Sequence, residues 1–302
     1  MPKGEALDWK QLTIAVVGGD RREQEIARLA ATTGAQVRAH GFPWPEKGIK
    51  DVTLTADAAT ALKGADIALF PIPGMSAASA LFAPAAPAPI VPDRAMLSGM
   101  RAPAHIILGW ANDALKAHCQ ALSITLQEYE CDVDLMLLRG PAIVEGALKA
   151  IIENTDITIH KSRVCIVGQG TIGFLVTRTM IALGAYTHVA ARNAVQRAAA
   201  HAAGAEAHTL DELETLAPRL DTIISTVPAQ IVGRSVLAKL PQHALLVDLA
   251  APPGGIDRDA AKELGLKFVW ARGMGSRAPV TVGASQWSGI KRRIEAIMGE
   301  KR

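Results

Sequence analysis

Residues 163–173 read Arg163-Val-Cys-Ile-Val-Gly168-Gln169-Gly170-Thr171-Ile172-Gly173, and this stretch decides the fold of the second half of the chain. The apolar residues 164–167 are typical of a strand that is buried on both faces of a parallel sheet. Beyond the glycines, apolar residues recur at helical spacing as far as Leu183, and residues 186–191 read as a second strand. This order of strand, glycine-rich turn, helix and strand predicts a Rossmann unit.

The three glycines have the G-x-G-x-x-G spacing of a dinucleotide site. Gly168 makes the tight turn, Gly170 lets a pyrophosphate approach the backbone, and Gly173 lets the helix pack closely on the strand. The helix N-terminus adds free N–H groups and a partial positive charge. A glycine-rich turn that binds nothing is the alternative, but the flanking strands and helix favour a site for cofactor phosphates at residues 168–173.

The end of the second strand carries the residues that distinguish NADP from NAD. An NAD site usually has Asp or Glu about twenty residues beyond the glycines, where the carboxylate holds the ribose 2′-hydroxyl. This chain instead has Ala191, Arg192 and Asn193, and no acidic residue lies between Gly173 and Glu206. The guanidinium of Arg192 can bind a 2′-phosphate, although a solvated loop cation is the alternative. The absence of an acidic residue favours NADP.

Two later strands are predicted to end at the same edge of the sheet. One strand, residues 221–226, runs into Thr226, Val227 and Pro228, and the next, residues 244–249, runs into Asp248, Leu249 and Ala250. Ligands of parallel sheets bind outside the carboxyl ends of the strands, so we expect these residues to approach the nicotinamide half of the cofactor. Asp248 is equally compatible with a turn cap.

Composition excludes several classes of protein. The 302 residues suffice for two domains of ordinary size, and 49% hydrophobic with 20% charged residues fit a globular enzyme. A net charge of +3 and 4% aromatic residues do not provide a nucleic-acid surface. The uncharged residues 67–92 contain six prolines, which forbid a membrane-spanning helix. The three cysteines lack metal-site spacing and the N-terminus lacks an apolar signal segment, so we expect a cytoplasmic protein without a metal.

Strands alternate with helices along the whole chain, which predicts an α/β protein with two doubly wound parallel sheets. Residues 1–140 are predicted to form a flavodoxin-like substrate domain, whose first turn, Gly18-Gly19-Asp20, departs from the dinucleotide fingerprint. Residues 141–283 are predicted to form a Rossmann NADP-binding domain that includes a linking helix starting at Pro141. A terminal helix over residues 284–302 is predicted to pack back on the first domain.

The order of motifs resembles the family of dipicolinate synthase A subunits, within the wider group of two-domain Rossmann dehydrogenases. The matching stretches are Ile-Ala-Val-Val-Gly-Gly-Asp (14–20) with Arg22, Pro-Ile-Pro-Gly (71–74), Val-Glu-Gly-Ala (144–147), Thr-Asp-Ile-Thr-Ile-His (155–160), residues 168–173 and 191–192, Ser-Thr-Val-Pro-Ala (225–229), Asp-Leu-Ala (248–250) with Pro-Gly-Gly (253–255), and residues 278–283. The chain departs from the family in the alanine-rich residues 77–88 and in residues 138–140.

The resemblance implies NADP-linked oxidation of dihydrodipicolinate to dipicolinate, together with a second, flavoprotein-like B subunit of dipicolinate synthase. That reaction supplies dipicolinate to forming endospores, so the resemblance places it in the mother-cell cytoplasm. A homo-oligomer is also expected.

Cationic and polar residues near the predicted cleft are the candidates for binding a dicarboxylate substrate. Arg21 and Arg22 follow the Gly18-Gly19 turn at a helix N-terminus, where they can clamp a carboxylate or serve as surface helix cations. Arg277 and Thr281 can line the cleft from the other domain. Asn112 can donate to substrate, but an N-cap of the helix that follows it is the favoured interpretation.

The proton acceptor is not identified by the sequence, and His40, His160 and Asp248 are the candidates. Each histidine is more often a structural residue. No Gly-x-x-His follows His243, the last histidine, which disfavours simple carbinol oxidation. Two alternatives therefore stay open: a dehydrogenase for another cyclic or amino acid, and a non-catalytic NADP-binding regulatory subunit.

Overall fold

The computed structural model describes residues 7–76 and 78–299, and it confirms the α/β class with two six-stranded parallel sheets. The chain divides into two compact units, the first formed by Met1–Arg139 with Ala278–Arg302 and the second by Gly140–Arg277. The first six residues and the last three of the helix predicted over 284–302 lie outside the described residues. No helix in the described part of the chain combines the length and apolarity needed to cross a membrane.

The first unit has the strand order β3-β2-β1-β4-β5-β6, with every neighbouring pair parallel. Its strands are β1 (Thr13–Val17), β2 (Gln36–His40), β3 (Val52–Leu54), β4 (Ile67–Leu69), β5 (His105–Leu108) and β6 (Thr125–Glu128). This six-stranded Rossmann order differs from the five-stranded flavodoxin-like order that the sequence predicted. The difference is the edge strand β3, which is too short and too exposed to show a strand pattern.

The helices of the first unit are α1 (Arg21–Ala31), α2 (Ala58–Leu62), α3 (Arg94–Leu97), α4 (Asp113–Ala121) and the terminal α11 (Pro279–Gly299). Helix α11 begins at Pro279 rather than at residue 284, because proline at the first helical position has a backbone angle already suited to a helix. It packs tightly on α1, since a Cβ on Gly283 would lie 2.6 Å from the carbonyl oxygen of Arg22. Thr281 therefore belongs to the first unit rather than the second.

The helix predicted to start at Pro141 is longer than the sequence pattern indicated. Helix α5 runs from Val133 to Asn154, with Pro141 inside it. A proline usually ends a helix because it lacks the N–H that would reach the carbonyl four residues earlier, here that of Leu137. The boundary between the two units falls inside α5, between Arg139 and Gly140.

The second unit has the strand order β12-β11-β10-β7-β8-β9, again all parallel. Residues 164–167 of β7 are fully buried at the centre of this sheet, as the unbroken apolar run predicts. The strands are β7 (Arg163–Val167), β8 (Tyr186–Ala190), β9 (Glu206–His208), β10 (Thr222–Ser225), β11 (Leu245–Asp248) and β12 (Lys267–Trp270), and the helices that follow α5 are α6 (Thr171–Ala182), α7 (Ala194–Ala202), α8 (Leu213–Leu216), α9 (Arg234–Leu237) and α10 (Arg258–Glu263). The chain reverses its direction of winding between β7 and β10, the point at which Rossmann sheets bind ligands.

Candidate functional site

The glycine loop after β7 has two glycines that the fold requires and one that leaves open space. Gly168 has a φ of +94°, and a Cβ there would lie 2.5 Å from Cγ2 of Val227. A Cβ on Gly173 would lie 2.1 Å from the carbonyl oxygen of Gly168, so only glycine lets α6 approach the strand end. A Cβ on Gly170 would meet no atom within 4 Å. The surface above Gly170 is therefore a bare backbone cradle that a side chain would fill.

The start of α6 offers hydrogen-bond donors toward this cradle. Gly170 is the N-cap and supplies no side-chain cap to the N–H groups of Thr171, Ile172 and Gly173. Gln169 is buried, and its Oε1 accepts a 2.9 Å hydrogen bond from the hydroxyl of Thr177. Its Nε2 is buried without a partner among the described residues. Free N–H groups at a helix N-terminus fit the phosphates of a dinucleotide.

The turn after β8 is held rigidly while its cationic side chain is exposed. Nη1 of Arg197 donates to the carbonyl oxygens of Ala191, at 2.9 Å, and of Arg192, at 2.8 Å. Asn193 is the N-cap of α7, and its Oδ1 accepts from the N–H of Gln196 at 2.8 Å. The side chains of Arg197 and Asn193 thus fix the backbone, and the exposed Arg192 is the residue that can meet a ligand from this turn.

The end of β10 lies directly beside the glycine loop. The hydroxyl of Thr226 donates to the carbonyl oxygen of Val167 at 3.1 Å, and Val227 lies against Gly168. Pro228 is exposed at the start of the following loop. The structure therefore brings residues 226–228 together with residues 168–173, at the edge where the sequence placed both.

Asp248, at the end of β11, is a clasp for the loop that follows it. Its side chain is buried, Oδ1 accepts from the N–H of Ala250 at 3.0 Å, and Oδ2 accepts from those of Gly255 at 2.7 Å and Ile256 at 3.1 Å. Burial raises the pKa of Asp248, and the three N–H donors oppose that rise. With its carboxylate fully engaged, Asp248 has the geometry of the turn-cap alternative. Of the two residues that follow it, Leu249 is half-buried and Ala250 is buried.

The two arginines at the start of α1 have different environments. Arg22 is buried and forms a two-pronged ion pair with Asp20, with Nε and Nη2 at 2.9 and 2.8 Å from the two carboxylate oxygens. Arg21 is exposed at the first position of the helix. Asp20 neutralises Arg22, so Arg21 is the cation of this pair that is available to an anionic ligand.

A buried carboxylate that the sequence analysis did not single out lies beside these arginines. Oε2 of Glu23 accepts from the N–H of Asp20 at 2.7 Å, and Oε1 accepts from the N–H of Ile72 at 2.8 Å. Burial raises the pKa of Glu23 to about 7, against the lowering effects of the Arg22 charge and of these N–H donors. The Asp20-x-x-Glu23 spacing is a capping-box pattern, which is the signal in the sequence that could have identified Glu23.

Other predicted site residues have structural partners. Asn112 caps α4, accepting from the N–H of Leu115 at 3.0 Å, and its Nδ2 donates to the hydroxyl of Ser79 at 2.9 Å. Arg277 forms an ion pair with Glu145. Thr281 is exposed on the first turn of α11.

The histidine candidates for the proton acceptor lie at opposite ends of their sheets. His40 ends β2, at the same edge of the first sheet as Arg21, and its Nδ1 lies 3.1 Å from the carbonyl oxygen of Thr55. His160 precedes β7, whereas Gly168 follows it. The five residues of β7 at about 3.3 Å each separate these two points by about 16 Å. The structure therefore removes His160 as a proton acceptor for chemistry at the glycine loop.

Comparison with known proteins identifies both halves of the chain. Residues 13–130 match the N-terminal domain of the dipicolinate synthase A subunit, and residues 142–260 match the NAD-binding domain of D-isomer-specific 2-hydroxyacid dehydrogenases. Over 294 residues the chain is 29% identical to the dipicolinate synthase A subunit of Bacillus subtilis (strain 168), a match that covers 96% of this chain and 98% of that protein.

Two crystal structures of dipicolinate synthase A subunits also resemble the fold. The protein from Bacillus halodurans is 28% identical with a TM-score of 0.85, covering 92% of this chain and 96% of that one. The protein from Bacillus subtilis is 27% identical with a TM-score of 0.85, covering 96% of this chain and 98% of that one. The second unit is thus an NAD(P)-binding Rossmann domain.

Proposed function

Because the chain belongs to the family of dipicolinate synthase A subunits, we propose that it is an NADP-dependent oxidoreductase that converts dihydrodipicolinate to dipicolinate, pyridine-2,6-dicarboxylate. The observation that carries this proposal is the cradle over Gly170, with the exposed Arg192 at the end of the neighbouring strand β8. A dinucleotide with a 2′-phosphate matches both features, since the cradle accepts the pyrophosphate and the guanidinium accepts the extra phosphate.

The proposed reaction removes one hydride and one proton from the dihydropyridine ring. When bound, NADP would supply the hydride acceptor of this two-electron oxidation, and the proton would leave to a base or to water. The ring becomes aromatic, which supplies much of the driving force. The protein therefore needs chiefly to hold and orient an anionic ring rather than to provide a strong base.

The residues proposed to hold the cofactor are those of the cradle and of the neighbouring strand ends. The N–H groups of residues 170–173 would donate to phosphate oxygens. Residues 191–193 would border the adenosine, with Arg192 at the 2′-phosphate. Residues 226–228 and 248–250 would border the nicotinamide side of the same edge.

For the dicarboxylate substrate we propose Arg21 as the leading anion-binding group of the first unit. Its position at the N-terminus of α1 adds the positive end of the helix dipole to its own charge. Arg22 would act as a positioning residue through Asp20. Arg277, Thr281 and Asn112 remain candidates for further contacts.

The regulatory alternative is favoured by one observation. Neither proton-acceptor candidate of the cofactor-binding unit is well placed, because Asp248 is engaged by three N–H groups and His160 lies at the far edge of the sheet. His40, in the first unit, is the candidate that is left. In that alternative the chain would bind NADP, and a partner protein would supply the chemistry. A dehydrogenase for a different cyclic or amino acid would use the same cofactor site.

The deciding experiment incubates the purified chain with dihydrodipicolinate and NADP, with and without the flavoprotein-like B subunit, and measures both NADPH and dipicolinate. Equal amounts of the two products from the chain alone support the proposed oxidoreductase. If product forms only with the partner present, equal amounts of NADPH and dipicolinate support the two-subunit form of the proposal, whereas dipicolinate without NADPH would favour the regulatory alternative. No NADPH under any condition, from a chain that binds NADP, would refute the proposed substrate.

An Arg21→Ala variant tests the assigned substrate contact. We expect its KM for dihydrodipicolinate to rise about tenfold or more while NADP binding stays unchanged, because a charged hydrogen bond contributes about 1.5–3 kcal/mol. Arg28→Ala is the matched control, since Arg28 is an exposed arginine on the same helix that pairs with Glu25. An Arg21 variant that behaves like the Arg28 control would contradict the assignment.

The family also leads us to propose the setting of the reaction. Dipicolinate would be supplied to forming endospores from the mother-cell cytoplasm, by this chain together with the B subunit. We propose further that the chain assembles with copies of itself, which sedimentation of the purified protein would test.

A further inference from the structure

Three potential metal ligands that the proposed cofactor site does not use converge on one face of the second sheet. His188 lies on β8, and Glu206 and His208 lie on the edge strand β9. In the parallel register Glu206 is directly opposite His188, and His208 is opposite Ala190. Side chains two residues apart on a strand point to the same face, so this register places all three functional groups together.

The distances among the three side chains are those of a metal-ligand set. Nδ1 of His188 lies 3.1 Å from Nε2 of His208. The two carboxylate oxygens of Glu206 lie 3.3 Å from His188 Nδ1 and 3.5 Å from His208 Nε2. Zinc bound tetrahedrally at about 2.0–2.1 Å separates neighbouring ligand atoms by about 3.3 Å. The three observed spacings between ligand atoms, 3.1, 3.3 and 3.5 Å, bracket that value.

The burial pattern also suits a bound cation. The histidine side chains are only 8% and 11% exposed, whereas the Glu206 side chain is 62% exposed. Buried imidazoles hold two ligand atoms in place, and the exposed carboxylate leaves an approach from solvent together with room for a water ligand. In a hydrogen bond between two neutral imidazoles one ring donates its N–H and the other accepts. When each ring instead carries its proton on the other nitrogen, both facing nitrogens can donate a lone pair to a cation.

We propose that His188, Glu206 and His208 bind one divalent transition-metal ion, with Zn²⁺ as the preferred natural ion. Two imidazoles and one carboxylate are borderline ligands, which favour zinc over the oxygen-seeking Mg²⁺ and Ca²⁺. The ion would cross-link the edge strand β9 to β8. The amide of Ala191, at the turn that carries Arg192, donates to the carbonyl oxygen of His208 at 3.1 Å, so the cross-link would also brace that turn.

The test begins with the full chain, freed of metal by dialysis against a chelator and titrated with Zn²⁺ in competition with a chromogenic chelator. We expect one equivalent of Zn²⁺ to bind without cofactor or substrate, and we expect thermal unfolding of the second unit to shift upward. Replacing Zn²⁺ by Co²⁺ should produce the intense visible bands of four-coordinate cobalt. Because neither NADP nor substrate is present, the result is independent of the proposed enzymatic function.

Variants identify the ligands. His208→Gln should weaken Zn²⁺ binding more than 100-fold, beyond the roughly 10–100-fold that loss of an outer-shell partner costs. Glu206→Gln is the second variant, because its exposed side chain can be changed without disturbing the core. His201→Gln and Cys131→Ser are controls, since both residues are exposed and either could bind zinc adventitiously. These controls should bind as the wild type does.

Two results would overturn the proposal. One is a wild-type chain that takes up no stoichiometric Zn²⁺ and gives no cobalt bands, which would make the cluster a hydrogen-bonded group only. The other is a Glu206→Gln variant, folded by circular dichroism, that binds Zn²⁺ as tightly as the wild type.

Discussion

Removing the Asp248 carboxylate should destabilise the second unit far more than it changes any chemistry. The residue is 1% exposed, and its carboxylate accepts hydrogen bonds from three backbone N–H groups. Asp248→Ala leaves all three donors without their partner, at about 1–3 kcal/mol each when no water replaces it. Because the loop can relax, we expect a total of about 3–6 kcal/mol, which is comparable to the whole stability of an ordinary domain.

Asp248→Asn should have a smaller effect, and the structure gives its size. Oδ2 accepts from Gly255 and Ile256, whereas Oδ1 accepts only from Ala250. An asparagine can keep its side-chain oxygen toward the N–H groups of Gly255 and Ile256. Its NH₂ group then faces the N–H of Ala250 and cannot accept a hydrogen bond from it. The expected loss is therefore one hydrogen bond, about 1–3 kcal/mol.

Urea unfolding with hydrogen exchange read by mass spectrometry measures both effects, because exchange resolves the segment that contains Gly255 and Ile256. Asp259→Asn, at an exposed aspartate on the first turn of α10, is the matched control and should lower stability by less than about 1 kcal/mol. If Asp248→Ala lowered the free energy of unfolding by less than about 1 kcal/mol and the loop exchanged as in the wild type, Asp248 would not hold this loop in place. A stable Asp248→Asn protein that binds NADP but has lost all turnover would point instead to a proton acceptor.

Three further predictions concern the cofactor loop and the buried carboxylate. Arg192→Asp should shift preference from NADP toward NAD in a binding titration, whereas Arg192→Lys should not; an unchanged preference in the aspartate variant would mean that the 2′-phosphate is held elsewhere. Gly173→Ala should destabilise the protein strongly, because its Cβ would lie 2.1 Å from the carbonyl oxygen of Gly168. Gly170→Ala should fold normally and lose cofactor affinity. A Gly170→Ala protein that unfolds at a lower temperature than Gly173→Ala would contradict these separate roles of the two glycines. Since the pKa of Glu23 is raised from 4.5 to about 7, its contribution to stability is complete below about pH 4.5 and is lost as the pH rises through about 7. Urea titrations should show wild-type stability falling relative to Glu23→Gln over that interval, by at most about 3 kcal/mol, and a constant difference would contradict the raised pKa.

The features that could be predicted from sequence are those written into short contiguous patterns. Residues 163–173 predicted a strand, a phosphate loop and a helix, and the structure has β7, the turn and α6 in those places. The strand ends at Thr226 and Asp248 were also located correctly, because buried parallel strands show unbroken apolar runs. The edge strand β3 was missed, since its three residues are mostly exposed.

Features that depend on distant parts of the chain were predicted less well. Pro141 reads as a helix start, yet α5 continues through it from Val133. The engagement of Asp248 depends on a loop that returns seven and eight residues later, which no spacing rule describes. His188 and His208 are twenty residues apart and meet only because β8 and β9 pair in one register. Strand pairing, rather than local propensity, decides the last of these cases.

The way Arg197 holds the turn after β8 has a consequence for protein engineering. A guanidinium that grips two main-chain oxygens, those of Ala191 and Arg192, keeps the frame of the turn independent of whichever side chain projects at position 192. Nucleotide selectivity could then be rewritten at that one position by a library of substitutions without eroding foldability. Changing Arg197 in the same library would remove the hydrogen bonds that hold the turn, so that changes in stability and changes in nucleotide selectivity could no longer be separated.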